Sequence, residues 1–173
     1  MIKFWKKRFS SSILTDNLEF DKELISLQKD IKDKISKNFA KSLNIRMVDC
    51  GSCNACENEC NALSNPYYNL TRLGISFVAS PRHADVLLIS GVNTFNMHKH
   101  LVDAYNQMPN PKYVITIGDC TKIQSSVFDK NFAIVGEIEK FIPVNWHIEG
   151  CPPSPNEIIK GLLEFLKSLP KGE

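Results

Sequence analysis

Six short apolar runs, at 45–48, 75–78, 86–89, 113–117, 133–135 and 144–148, set the limits on what this chain can fold into. Each has the length of a strand, and several are apolar at successive positions, which suits strands covered on both faces. Helix-like stretches lie between them at 69–73, 94–107, 121–128 and 155–169, the last opening with Ser154 as N-cap and Pro155 at the first helical position. Strand and helix alternate, which predicts an α/β fold with a mostly parallel sheet and helices on both faces. In such folds ligands gather beyond the carboxyl ends of the strands. None of the runs approaches the roughly 18 to 20 residues needed to cross a bilayer.

Ahead of the first run, residues 20–43 carry Leu24, Leu27, Ile31, Ile35, Phe39 and Leu43 three or four apart with charges between them, an N-terminal amphipathic helix. Asp16 or Asp21 would open it. Its apolar stripe packs either on its own domain or on a partner subunit. Before it, Phe4, Trp5 and Phe9 interleave with Lys3, Lys6, Lys7 and Arg8, a mixture suited to a membrane interface or to a disordered tail. The expected division is therefore a tail and helix over 1–43 and an α/β domain over 44–173. A net charge of +2, from 21 basic and 19 acidic residues, supplies no argument for nucleic acid as a partner. The basic N-terminus lacks an apolar stretch followed by a small-residue cleavage site, so the expected location is cytoplasmic.

Cysteine is the residue most unevenly used. Four of the six lie within DCGSCNACENEC at 49–60, and the others follow as GDC at 118–120 and GCPP at 150–153. Each group directly follows an apolar run, so the alternating fold would deliver all three loops to one edge of the sheet. A site made only of thiolates prefers zinc, cuprous copper or an iron–sulfur cluster to hard cations. Structural zinc usually takes paired ligands on two knuckles, whereas Cys120 and Cys151 are isolated beside glycines, so iron–sulfur ligation fits better. Gly51, Gly118 and Gly150 would let backbone amides approach a bulky, anionic cluster. Spacing leaves one question open, because Cys50 and Cys53 are separated by two residues just as Cys53 and Cys56 are. Cys60 reads as helix packing.

Four segments, DCGSCNACENE at 49–59, NPYYNLTRLGISFVASPRHADVLLISG at 65–91, PKYVITIGDC at 111–120 and PVNWHIEGCPPSPNEIIKGLL at 143–163, carry a resemblance to a known family. The chain resembles the small subunits of membrane-bound, energy-converting nickel–iron hydrogenases, formate hydrogenlyase among them, and the homologous 20 kDa cluster-bearing subunit of complex I. The resemblance implies a flavodoxin-like fold and one [4Fe-4S] cluster held by Cys53, Cys56, Cys120 and Cys151. It implies electron transfer beside the reactive centre of a nickel–iron large subunit, and no complete active site on this chain. A ferredoxin-like iron–sulfur subunit, membrane subunits and a position on the inner face of the cell membrane are implied with it. Complex I subunits carry two adjacent cysteines at the first ligand site, so the separated Cys53 and Cys56 resemble the hydrogenase side. Ferredoxin- or quinone-linked membrane oxidoreductases are the alternative, and a zinc-stapled structural module is the alternative of another class. The chain departs from the family pattern at Ala55, at Glu149 and along 121–126.

Three further residues invite a role. Glu57, next to Cys56, would either exchange protons or act as a first-turn helix acid. Arg82 and His83 match the family's SPRHAD stretch and would either tune charge around metal centres or serve as ordinary loop charges.

Overall fold

The apolar runs form a sheet because successive buried side chains need a cover on each face. A computed structural model describes residues 22–40, 42–122 and 131–169, together with Trp5 and Phe128. Its central sheet contains β1 (Leu43–Asp49), β2 (Ile75–Phe77), β3 (Val86–Ser90), β5 (Tyr113–Ile117) and β7 (Trp146–Ile148), in the order β2-β1-β3-β5-β7. Every neighbouring pair is parallel. Counted within the sheet this is the order 2-1-3-4-5, that of flavodoxin-like folds, with the switch point between β1 and β3.

Among the described residues four helices cover the two faces. On one lie α1 (Lys22–Asn38), α2 (Ala55–Ala62) and α4 (Pro155–Ser168), whose Ile31, Ile35, Leu63, Ile159, Leu162 and Phe165 pack on Ile45, Leu88 and Ile115 of the sheet. On the other lies α3 (Phe95–Gln107), where Leu101 meets Leu87, Ile89 and Val114. Ser154 opens α4 with a reciprocal capping box, its Oγ accepting from the Glu157 amide while the Glu157 carboxylate accepts from the Ser154 amide.

The N-terminal helix settles on its own chain. Leu24, Ile31 and Ile35 are buried against the domain, and Gln28 donates to the Tyr68 carbonyl while accepting from Arg72. It ends earlier than the sequence pattern suggests. Ala40 turns left-handed at φ 48°, and Leu43 belongs to β1, where its amide donates to the Gly74 carbonyl. Asp16, Asp21, Phe4 and Phe9 lie outside the described residues.

Two other stretches differ from expectation. Residues 69–73 make one tight turn, Leu70–Leu73, because Asn69 and Gly74 are both left-handed and close it at either end. The run at 133–135 becomes β6 (Ile134–Gly136), which pairs antiparallel with β4 (Asn93–Thr94) outside the central sheet. Its residues are all only half-buried, so it lacks the double cover of a central strand. Of the helix expected at 121–128, residues 123–127 lie outside the described part.

Candidate metal centre

Parallel strands place their carboxyl ends at one edge, and all three cysteine loops leave from there. After β1, Cys50 is latched to its neighbours. Its amide donates to the Ser90 carbonyl at 3.0 Å, and its carbonyl accepts from the Thr94 amide and from Thr94 Oγ1 at 2.7 Å. Its side chain is fully buried in the core beneath α3. Cys53 then emerges exposed, and Cys56 sits buried in the first turn of α2. Asn54, the N-cap, is left-handed at φ 66° and makes no side-chain capping bond, which leaves the amides of the first turn available to an anionic ligand. Cys60, one turn further along α2, is 1% exposed and packs in the core beneath α1 and α4.

The second and third loops are tied to each other. Gly118 donates to the Ile148 carbonyl at 2.9 Å; the Asp119 amide donates to the Gly150 carbonyl, and Asp119 Oδ1 accepts from the Gly150 amide. This reciprocal clamp sets Cys120, buried in the turn Asp119–Thr121, beside the exposed Cys151. Gly118, at φ 87°, faces the first loop so closely that a Cβ there would stand 2.7 Å from Cys56 Sγ.

Electrostatics groups the thiols in the same way. Burial pushes Cys56 up to about 12, and Cys120, Glu57, Cys53 and Cys151 add their repulsion. Cys120 is raised by burial, partly offset by a backbone hydrogen bond, and then by Cys151, Cys53 and Asp119. Thus Cys53 and Cys151 act on both buried thiols, and Cys120 acts on Cys56. Cys50 is pushed up to about 12 by burial and Asp49 alone, and Cys60 to about 12 by burial, Cys56 and two glutamates. Among the described residues none of the groups acting on Cys56 or Cys120 is a cation. A nucleophilic or redox-active thiol needs a lowered pKa. Here burial, then neighbouring thiols, raise Cys56 and Cys120, so a positive centre that neutralises them would displace their protons on binding.

Comparison with known proteins shows the family. The family described as NADH ubiquinone oxidoreductase, 20 Kd subunit, matches residues 53–165. The chain belongs to that family. It is 37% identical to formate hydrogenlyase subunit 7 of Escherichia coli over 76% of its own length and 51% of that protein. The chain thus spans about half of that relative. It is also 37% identical to a probable membrane-bound hydrogenase subunit of Pyrococcus furiosus, over 81% of this chain and 85% of that one. Among solved structures, a chain of the membrane-bound sulfane sulfur reductase, an archaeal respiratory membrane complex, superposes with a TM-score of 0.65 at 29% identity, covering 79% of this chain and 74% of the other. The relatives named here are subunits of multi-subunit oxidoreductases, two of them named as membrane-bound. No described helix of this family member is long and apolar enough to cross a membrane.

Arg82 and His83 are not brought to the cysteines. Their turn, Pro81–His83, feeds the amino end of β3, where Asp85 exchanges bonds with Asn44, whereas the cysteine loops leave from the carboxyl end. Sequence reasoning missed Asp119 as a clamp between two loops. The adjacent glycines of GDC and EGC were the available signal, since bare amides invite an acidic acceptor. His147 is a hydrogen-bonded side chain; its Nδ1 pairs with Thr116 Oγ1 at 2.9 Å, and burial followed by Lys122 lowers its pKa.

Proposed function

We propose that this chain is the electron-transfer subunit of a membrane-associated nickel–iron hydrogenase complex, with one [4Fe-4S] cluster held by Cys53, Cys56, Cys120 and Cys151. The observation that carries the reading is the meeting of the three cysteine loops at one sheet edge, where Asp119 ties the second loop to the third and Gly118 lies against Cys56 of the first, with Cys50 turned into the opposite core. When bound, the cluster supplies one-electron transfer at a potential tuned by its surroundings. The protein's part is to hold the ligands. Asp119 locks two loops together, and α2 presents its open N-terminus to the anionic centre.

The hydrogen-splitting metals would sit on a large subunit docked over this edge. A ferredoxin-like iron–sulfur subunit and membrane subunits complete the assembly, with this chain peripheral on the inner face of the cell membrane. The separated cysteines at 53 and 56 favour the hydrogenase reading over the quinone-linked one. The likeness to the sulfane sulfur reductase supports a second reading, in which an equivalent subunit serves a sulfur-reducing complex.

The test is anaerobic co-expression with the large subunit, followed by iron, sulfide and zinc analysis and electron paramagnetic resonance. Roughly four irons and four sulfides per chain are expected. Serine at any of the four positions should abolish this content, and alanine at Cys60 should preserve it. Stoichiometric zinc, or wild-type iron in a Cys120→Ser or Cys151→Ser variant, overturns the assignment.

A further inference from the structure

Glu57 is held in a way that neither a proton carrier nor a solvated first-turn acid requires. One carboxylate oxygen accepts from Ser52 Oγ at 3.1 Å, and the other accepts from Ser90 Oγ. Ser90 is completely buried at the carboxyl end of β3, and Ser52 Oγ also accepts from the Asn54 amide. The carboxylate therefore joins three elements: the loop that carries Cys53, the first turn of α2 that carries Cys56, and the end of β3. Both oxygens of the carboxylate are thus engaged by hydroxyls. It has no partner cation in this network; its donors are hydroxyls. Its charge acts on Cys56 and Cys60.

We propose that Glu57 is a positioning residue that also lowers the reduction potential of the centre held by Cys53, Cys56, Cys120 and Cys151, through a negative charge fixed by Ser52 and Ser90. The inference rests on the cluster assignment above. Its physical basis is simple. Reduction adds one electron to the cluster while no bond forms or breaks, so a fixed negative charge nearby opposes that step. The two hydroxyls partly compensate the charge and prevent it from turning away. A neutral isostere keeps the shape of the tie and removes the charge, and removal of one hydroxyl does the reverse. The first change should therefore raise the potential and the second should not.

The experiment is a redox titration, followed by electron paramagnetic resonance, of the co-expressed complex with Glu57→Gln and, separately, Ser90→Ala. Glu57→Gln should retain wild-type iron and sulfide content and shift the midpoint potential upward. Ser90→Ala should shift it downward or leave it in place, and should lose iron faster on exposure to air. An unchanged potential in Glu57→Gln, or an upward shift in Ser90→Ala, overturns the charge role. Loss of the cluster from both variants overturns it as well, because the network would then only hold the loop. Absence of any iron–sulfur signal from the wild-type complex is a different result, which removes the functional reading itself.

Discussion

Replacing Gly118 with alanine tests the packing of the cysteine loops most directly. The glycine adopts φ 87° and ψ 145°, a conformation sparsely populated by residues with a Cβ. Holding alanine there costs about 1–3 kcal/mol. The lower chain entropy of alanine in the unfolded state returns about 0.4–1 kcal/mol. The added methyl would also meet Cys56 Sγ at 2.7 Å, where an uncrowded contact needs about 3.5–4.0 Å. The sulfur must therefore retreat by about an ångström inside a close-packed site, and overpacking of that kind costs about 1–3 kcal/mol. Together these predict a loss of about 1–6 kcal/mol, or about 2–24 °C in melting temperature for a domain of this size. Thermal unfolding of the metal-free chain measures it, with Gly136→Ala as the comparison. Gly136 has φ 150°, but its nearest prospective neighbour is Phe141 at 3.7 Å, so that variant should suffer only the backbone strain. A Gly118→Ala chain that melts within about 2 °C of wild type, or no lower than Gly136→Ala, would refute the close approach of Cys56 to the second loop.

Two further outcomes follow from other parts of the structure. His147 has its pKa lowered from 6.5, mainly by burial and then by Lys122, so below that pH the unfolded chain binds the proton more readily than the folded one. Stability should therefore fall as pH drops from about 6.5 through the folded pKa, and denaturant melts between pH 7.5 and 5 should be flatter for His147→Gln; equal slopes would discount the burial. Ile31→Ala in α1, at a fully buried position, should cost about 2–5 kcal/mol in the isolated chain, whereas a helix reserved for a partner subunit would tolerate it.

The sequence by itself determined the elements and their order, because apolar periodicity is a local property. The doubly covered strands around Ile45, Leu88 and Ile115 were legible as unbroken apolar runs, and α1 as a stripe at helical spacing. The position of each cysteine after a strand was equally visible, and parallel pairing then obliges those loops to share an edge. The tertiary structure decided which groups meet there. Cys50 and Cys53 have the same spacing as Cys53 and Cys56, yet Cys50 is drawn by Thr94 into the core beneath α3. That contact spans 44 residues, and no local pattern encodes it. Arg82 and His83 read as candidates for the same centre, but strand direction sends their turn to the amino end of β3. Glu57 and Asp119 gained their roles in the same way, since Ser90 and Gly150 become their partners only once β3 and β7 take their places in the sheet. A side chain's environment on one strand is set by residue type and spacing; its partners across strands are set by sheet order, which is a property of the whole chain.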